Sequence, residues 1–254
     1  MKKVLIADKM SIEAEKVFIA NSISFDTKVG LSEDEICNIV EDYDGIIVRS
    51  ATKITKKIID SSSRLKVLGR AGIGVDNIDI ETATSKGIVV MNTPFGNSIT
   101  TAEHTISLMM SLARNIPQAN QSTKEGKWEK NKFMGTELFN KTLGMIGCGN
   151  IGSLVAERCI GLKMKVLVYD PFLSEEQTEA LGGKKVNLDQ LLSDSDFITL
   201  HTPLTNETKG ILNMSSLQKC KKGVKVINCA RGGLVNENDL VELIKNGHVS
   251  GAAL

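Results

Sequence analysis

The stretch from Lys141 to Pro171 constrains the fold of this chain more than any other part of the sequence. An apolar run over 142–146 leads into the turn Gly147-Cys148-Gly149-Asn150-Ile151-Gly152, and a helical pattern and a second apolar run follow. The second run ends on Asp170. A strand, a glycine turn, a helix, a strand and an acid within about 30 residues form the fingerprint of dinucleotide-binding folds. The stretch therefore predicts a parallel sheet with helices on its faces.

Each glycine of this turn has a predicted task. Gly147 permits the tight turn, Gly149 lets a pyrophosphate approach bare backbone, and Gly152 lets the helix pack closely on the strand. The pyrophosphate is expected on the N–H groups that begin the helix at Asn150 and Ile151, where the helix dipole favours negative charge. The alternative, which we do not favour because strand, helix and acid are all present, is an ordinary tight turn between strand and helix.

Asp170 also predicts which dinucleotide binds. A carboxylate at this place accepts hydrogen bonds from both ribose hydroxyls and repels a 2′-phosphate. The residues that follow, Pro171-Phe172-Leu173, include no arginine to hold such a phosphate. The sequence therefore predicts NAD rather than NADP.

Composition excludes several classes of protein. The chain has 254 residues, 24% of them charged, with a net charge of +1, which gives no electrostatic reason to bind nucleic acid or an anionic membrane. The basic N-terminus lacks the apolar core of a signal peptide, and no apolar stretch is long enough to span a bilayer. Five scattered cysteines without a CxxC pair indicate reduced thiols and a cytoplasmic protein, and three histidines without ligand spacing predict no metal site.

The apolar pattern divides the chain into two α/β domains. Strand-like and helix-like runs alternate through 1–96, and the segment Thr93-Pro94-Phe95-Gly96-Asn97 interrupts them before a second domain at 97–254. We expect doubly wound parallel sheets, Rossmann-like or flavodoxin-like, joined by a long helix over 98–124. Pro117 predicts a break in that helix near Asn115. Because a strand pattern over 249–254 ends the sequence with nothing to cover it, we expect the chain to be incomplete at its C-terminus.

Two strand ends in the second domain carry candidate chemistry. Arg231 follows the run VKVINCA, and a guanidinium there can hold a carboxylate by two parallel hydrogen bonds and polarise a neighbouring carbonyl. His201 follows FITL, and it is either an acid/base or, as we favour, a hydrogen-bonded histidine with a structural role. Thr202 and Pro203, which come next, are expected to line the nicotinamide side of the site.

The first domain carries a candidate anion site. Arg70 precedes the glycine turn 71–74, whose successive N–H groups form a concavity suited to anions. Arg49 follows the strand GIIV, so two fixed cations are expected at neighbouring strand ends. Two arginines suit a substrate that carries a phosphate as well as a carboxylate, and solvated surface arginines are the alternative.

With these residues identified, the chain resembles the D-isomer-specific 2-hydroxyacid dehydrogenases. The resemblance rests on segments spread over nearly the whole sequence: GRAGIGVDNID (69–79), MNTPFGNS (91–98), ARNIPQA (113–119), GKWEKNKFMGTEL (126–138), GCGNIG (147–152), HTPLTNETKG (201–210) and NCARGGLVNE (228–237). Within the family, GKWEKNKFMGTEL is similar to members that act on 3-phosphoglycerate.

The resemblance implies oxidation of 3-phospho-D-glycerate to 3-phosphohydroxypyruvate with NAD, the first step of serine biosynthesis. It implies Arg231 as the catalytic arginine, and it implies a homodimer or homotetramer to which the long-helix region contributes. It also implies that the family's catalytic glutamate and histidine follow the SGAAL segment. The implied NAD-contacting residues are Gly147, Gly149, Asn150, Ile151, Gly152, Asp170, Thr202, Pro203, Cys229, Ala230 and Arg231. The implied substrate-contacting residues are Arg49, Ser50, Arg70, Ala71, Gly72, Ile73, Gly74 and Asn97.

Two other functions remain open from the sequence. One is another dehydrogenase of the same family, such as a hydroxypyruvate or glyoxylate reductase. The other is a non-catalytic NAD-binding module that signals through protein contacts.

Overall fold

The computed structural model describes residues 2–254 and divides the chain into two compact α/β units, the first extending to Asn97 and the second running from Ser98 to Leu254. The division lies one residue beyond the predicted boundary. Each unit has its own parallel sheet and its own buried core.

The first unit contains a five-stranded sheet in the order β2-β1-β3-β4-β5, with every neighbouring pair parallel. Strand order reverses between β1 and β3, as in flavodoxin-like sheets. Its strands are β1 (Lys3–Ile6), β2 (Ser24–Thr27), β3 (Gly45–Val48), β4 (Val67–Arg70) and β5 (Val89–Asn92). Its helices are α1 (Ile12–Ala20), α2 (Glu33–Ile39), α3 (Lys56–Asp60) and α4 (Ile80–Ser85), with a 3₁₀ turn over Val40–Asp42.

The second unit contains a six-stranded parallel sheet in the order β11-β10-β9-β6-β7-β8. This is the Rossmann order, and the reversal falls between β6 and β9. Its strands are β6 (Thr142–Ile146), β7 (Lys165–Tyr169), β8 (Lys184–Lys185), β9 (Phe197–Leu200), β10 (Val224–Asn228) and β11 (Val249–Ala253). Its helices are α5 (Ser98–Ala113), α6 (Ile116–Lys124), α7 (Asn150–Gly161), α8 (Glu175–Ala180), α9 (Leu188–Asp194), α10 (Met214–Leu217) and α11 (Glu237–Lys245), with a 3₁₀ turn over Lys130–Phe133.

Short polar side chains fix where the helices begin. Ser11 accepts a hydrogen bond from the Glu13 N–H at the start of α1, and Ser32 with Glu35 forms a reciprocal capping box at the start of α2. Asn236 caps α11 by accepting from the Asp239 N–H. Each cap satisfies an N–H group that has no partner within its own helix.

The predicted long helix over 98–124 is two helices. Asn115 adopts a left-handed conformation with φ of 53°, and Pro117 occupies the first turn of α6. Because proline has no N–H and its ring clashes with a preceding turn, the helix ends before it and begins again. The expected break near Asn115 is confirmed, and the single joining helix is corrected to a pair that both lie in the second unit.

Apolar exposure differs along the chain. Within residues 2–254 no helix combines the length and hydropathy needed to cross a bilayer. The edge strand β5 exposes Val89 and Met91 by 58% and 55%, and it is paired with a neighbouring strand on one side only.

Candidate functional site

The glycine turn after β6 has a geometric reason for each of its glycines. Gly147 has φ of +85°, and a Cβ there would lie 2.7 Å from the carbonyl oxygen of His201. A Cβ on Gly152 would lie 2.7 Å from the Gly147 carbonyl oxygen, so α7 packs directly on the turn. A Cβ on Gly149 would meet no described heavy atom within 4 Å. The backbone at Gly149 therefore borders open space where a ligand can approach.

Helix α7 begins at this turn with backbone donors. Gly149 is its N-cap residue and makes no side-chain cap hydrogen bond, and Asn150 and Ile151 form the first turn. The turn lies where strand order reverses between β6 and β9, which is where open α/β sheets bind ligands. A pyrophosphate fits this arrangement of bare backbone and helix N-terminus.

Asp170 ties the turn to the end of β7. Its side chain is 8% exposed, Oδ2 accepts a 2.8 Å hydrogen bond from the Cys148 N–H, and Oδ1 accepts another of 2.8 Å from the Phe172 N–H. Each carboxylate oxygen keeps acceptor capacity for a ribose hydroxyl. Burial, reinforced by the charge of Asp170, raises the pKa of the Cys148 thiol to about 11. The sequence predicted a ribose-binding acid and did not reveal that the same carboxylate holds the glycine turn.

His201 is held as a neutral histidine. Its Nε2 lies 3.0 Å from the Thr199 hydroxyl, and burial lowers its pKa to about 4. A group with that pKa does not change charge near neutral pH, so the structural role favoured from the sequence is the better interpretation. Thr202 follows it, with its Cβ 3.1 Å from the place a Cβ on Gly147 would take. The Pro203 carbonyl accepts a hydrogen bond of 2.6 Å from the Thr208 hydroxyl.

Arg231 lies in a tight loop after β10. Asn228 closes this loop from both ends, since its Nδ2 donates to the Arg231 carbonyl at 2.8 Å and its Oδ1 accepts from the Ala230 N–H at 3.0 Å. Nη1 of Arg231 donates to the Ala230 carbonyl at 2.8 Å. Arg231 is half-buried. The loop therefore presents a cation whose position is fixed by hydrogen bonds within the loop itself.

A cavity of about 540 Å³ adjoins this loop within the second unit. Its walls include the predicted Cys229, Ala230 and Arg231, and also His104 and Glu237, which the sequence did not single out. Burial raises the pKa of the Cys229 thiol, while a hydrogen bond with Thr105 acts in the opposite direction. The cavity wall thus combines the Arg231 guanidinium with the Cys229 thiol and the side chains of His104 and Glu237. Nothing in the sequence places α5 beside this loop, so His104 was not predictable.

The first unit has a separate pocket of about 320 Å³ at the carboxyl ends of β3 and β4. Among its lining residues are two arginines and no carboxylate, which suits an anion. A Cβ on Gly72 would lie 1.7 Å from Nη1 of Arg70, so that guanidinium rests against bare glycine backbone. The lining residues are Arg49, Ser50, Arg70, Ala71, Gly72, Thr93, Gly96 and Asn97.

Two residues of the predicted substrate set, Ile73 and Gly74, do not line this pocket, and Thr93 and Gly96 line it without having been predicted. The Ile73 carbonyl accepts a 2.7 Å hydrogen bond from Nδ2 of Asn92, which fixes the far end of the turn.

Within residues 2–254, no group of three or more His, Cys, Asp or Glu side chains is placed to hold a metal ion.

Comparison with known proteins gives concordant findings. The family model described as "D-isomer specific 2-hydroxyacid dehydrogenase, NAD binding domain" matches residues 106–254. D-3-phosphoglycerate dehydrogenase of Synechocystis is 51% identical over 100% of the chain and 46% of its own length. The enzyme of the same name from Archaeoglobus fulgidus is 52% identical over 99% of the chain and 48% of its own length. The chain thus spans about half the length of these curated relatives.

A solved structure shows the same fold with a bound dinucleotide. D-lactate dehydrogenase of Aquifex aeolicus, complexed with NAD and lactic acid, superposes with a TM-score of 0.90 at 30% identity. The match covers 98% of this chain and 75% of that one.

Proposed function

The chain belongs to the D-isomer specific 2-hydroxyacid dehydrogenase family, and from that premise we propose that it oxidises 3-phospho-D-glycerate to 3-phosphohydroxypyruvate with NAD. One observation carries the choice of substrate. Arg49 and Arg70 line one pocket whose walls include no carboxylate, and a substrate with both a phosphate and a carboxylate uses two cations. Relatives about 50% identical over the whole chain bear the name of that activity.

In this proposal, the second unit binds the cofactor. The N–H groups around Gly149 and Asn150 hold the pyrophosphate, and Asp170 accepts hydrogen bonds from the ribose hydroxyls and disfavours a 2′-phosphate. Thr202, Pro203 and the loop 229–231 border the nicotinamide. Bound NAD supplies the hydride acceptor.

Arg231 has the catalytic role in this proposal. Its guanidinium polarises the carbon–oxygen bond that changes order during oxidation. The lowered pKa of His201 makes that residue unsuited to taking the hydroxyl proton near neutral pH. We therefore assign no acid/base role to His201.

The first unit binds the anionic ends of the substrate in this proposal. Arg49 and Arg70 supply the cations, and Ser50 and Asn97 line the same pocket. The turn 71–74 was expected to add N–H donors, but the Ala71 and Gly72 N–H groups already donate to the Val48 and Arg70 carbonyls at 2.9 Å, so the proposal rests on the two arginines. A reductase for glyoxylate or hydroxypyruvate needs no phosphate contact, and this difference separates the two alternatives within the family.

Ligand affinity tests the substrate assignment. Titration calorimetry should show 3-phosphoglycerate binding more tightly than glycerate. Arg49→Gln and Arg70→Gln should each weaken 3-phosphoglycerate about tenfold or more, because each removes a charge-assisted hydrogen bond, and the variant that loses the phosphate contact should also lose the preference over glycerate. Arg64→Gln is the matched control, since Arg64 lies in the same unit and pairs with Asp44 at 2.9 Å. Equal affinities for the two acids would contradict the phosphorylated substrate.

We also propose that the protein forms homodimers or homotetramers. Trp128 and Met134, in the segment after α6, are 83% and 79% exposed, and Ile116 and Phe139, before and after them in the sequence, are 51% and 59% exposed. Several exposed large apolar side chains in one stretch of sequence suit an interface. Trp128→Glu should shift the mass measured by light scattering toward the monomer. An unchanged mass would contradict an interface at this segment.

A cytoplasmic location is part of the same proposal. The five cysteines are all free thiols, which suits a reducing compartment.

A further inference from the structure

The loop of residues 49–52 in the first unit carries two side chains of the anion pocket. It follows β3 directly, and Arg49 and Ser50 both line the pocket. Arg49 is exposed, and among residues 2–254 its guanidinium makes one hydrogen bond, a long one of 3.4 Å to the Lys9 carbonyl. Placement of this cation therefore depends on how firmly its backbone is held.

Asp8 holds the N–H side of this loop. It follows β1, the strand next to β3 at the point where strand order reverses, and it is 4% exposed. Its Oδ2 accepts from the Arg49 N–H at 2.6 Å and from the Thr52 N–H at 3.2 Å, and its Oδ1 accepts from the Thr52 hydroxyl at 2.7 Å. The buried carboxylate is thus engaged by donors of the loop that carries Arg49.

Asn77 holds the carbonyl side of the same loop. Its Nδ2 donates to the Arg49 carbonyl at 2.6 Å and to the Thr52 carbonyl at 2.6 Å. The presence of two acceptors fixes which way the amide points. The backbone continues the contact, because the Ile54 N–H donates to the Asn77 carbonyl at 2.8 Å and the Asp79 N–H donates to the Ile54 carbonyl at 2.9 Å.

This contact joins the loop to the other pocket segments. Asn77 belongs to the stretch that begins with the glycine turn 71–74, and the Gly72 carbonyl accepts from the Thr93 N–H at 3.0 Å. The segments bearing Arg49, Gly72 and Thr93 are therefore linked by hydrogen bonds. Neither Asp8 nor Asn77 lines the pocket itself.

We propose that Asp8 and Asn77 are positioning residues that clamp the backbone of residues 49–52 from its N–H and C=O sides and so hold Arg49 in place for an anionic substrate. This rests on the proposed function of the pocket. Both residues act through Arg49 without touching the ligand, and a preformed cation loses less freedom when it binds.

Isosteric variants separate geometry from charge. In Asp8→Asn, the amide oxygen can still accept from the Arg49 and Thr52 N–H groups, and the new NH₂ group then faces the Thr52 hydroxyl. That hydroxyl can accept from the NH₂ group and donate its own hydrogen to the Ala7 carbonyl, 3.4 Å away. Asp8→Ala removes every one of these acceptors. Asn77→Asp replaces a donor of two hydrogen bonds with an oxygen facing two carbonyls. If Asp8 served only as a counter-ion for Arg49, Asp8→Asn would behave like Asp8→Ala.

Hydrogen exchange of the 254-residue chain tests the clamp without any ligand. Amides of residues 49–53, followed by mass spectrometry, should exchange about tenfold or more faster in Asp8→Ala and Asn77→Asp, with the rest of the first unit unchanged. Asp8→Asn should match the wild type. Asn21→Asp is the matched control, because Asn21 makes the same kind of hydrogen bond, to the Val17 carbonyl at 2.8 Å, at the end of α1. Unchanged exchange in Asp8→Ala, or acceleration spread over the whole unit, would overturn the proposal.

Binding then connects the clamp to the ligand. Asp8→Ala and Asn77→Asp should weaken 3-phosphoglycerate about tenfold or more and leave the NADH affinity within about twofold, and Asp8→Asn should bind like the wild type. Wild-type affinity in Asp8→Ala would overturn the proposal. If the wild type fails to bind 3-phosphoglycerate while exchange behaves as stated, the substrate assignment fails and the clamp stands.

Discussion

Two glycines of helix α7 should respond in opposite directions to the same substitution. A Cβ on Gly152 would lie 2.7 Å from the Gly147 carbonyl oxygen and 3.2 Å from Sδ of Met145. The oxygen belongs to the backbone of the glycine turn and cannot rotate away, so α7 has to move by roughly half an ångström or more. Gly161, the last residue of the helix, has no described heavy atom within 4 Å of an added Cβ.

Gly152→Ala should therefore destabilise the second unit by about 1–3 kcal/mol, the usual cost of overpacking a filled site. Displacing the turn also costs about one charge-assisted hydrogen bond to the cofactor phosphate, roughly 1.5–3 kcal/mol. That corresponds to NADH affinity about tenfold to a hundredfold weaker. Gly161→Ala should stabilise the helix by about 0.5–1 kcal/mol, because alanine has the better helix propensity, and it should leave NADH affinity unchanged.

Hydrogen exchange of peptides from the second unit, followed by mass spectrometry at increasing urea concentrations, reports on the stability of that unit. NADH fluorescence titration gives the affinity of each variant. A Gly152→Ala protein with the stability and NADH affinity of the wild type would refute the close packing between helix and turn. Equal losses in Gly152→Ala and Gly161→Ala would refute it too, because only Gly152 lies against the backbone of the turn.

Three further predictions concern titratable groups. The pKa of His201 is about 4 in the native state against an ordinary 6.5, so the unfolded chain takes up the proton first as pH falls. The unfolding free energy of the second unit should therefore be unaffected by His201 above pH 6.5 and decrease by up to about 3 kcal/mol toward pH 4. Urea titrations at several pH values measure this profile, and His201→Gln should flatten it. Asp170→Asn should cost about 1–3 kcal/mol of unfolding free energy and weaken NADH, because an NH₂ group then faces a backbone N–H in a buried place, and a wild-type midpoint would contradict this. Burial raises the pKa values of the Cys159 and Cys220 thiols to about 12. Maleimide at pH 7 should therefore label the half-buried Cys37 first, and it should label Cys159 and Cys220 only in urea. Peptide mass spectrometry identifies the labelled cysteines.

Much of the fold was predictable because its signals are local. Ser11, Ser32 and Asn236 cap helices through hydrogen bonds that act over two or three residues, so the local sequence is enough to mark these starts. Pro117 predicted the break at Asn115. Strand β8 is two lysines long and has no apolar pattern, so no local signal marks it. The α/β class and the NAD cofactor are confirmed by the two parallel sheets and by the matched NAD-binding family.

The candidate site was predictable only where one topological rule applies. Parallel strands end at a common edge, which brings Gly147, His201 and Arg231 into neighbouring loops of one sheet. The contacts of Asp8 with Arg49 and Thr52 span more than 40 residues and follow no periodic pattern, so sequence reasoning passed over them. His104 and Glu237 were missed for the same reason, since they reach the Arg231 cavity from two different helices.

The most direct test of the account is the initial rate of NADH oxidation by the 254-residue chain with 3-phosphohydroxypyruvate and with hydroxypyruvate, beside NADH and NADPH affinities from fluorescence. The account predicts that NADH binds more tightly than NADPH, because the Asp170 carboxylate repels a 2′-phosphate. It also predicts that the rate at low substrate concentration is at least about tenfold higher with 3-phosphohydroxypyruvate than with hydroxypyruvate, because Arg49 and Arg70 bind the phosphorylated substrate. NADPH bound as tightly as NADH, or equal rates with the two substrates, would contradict it.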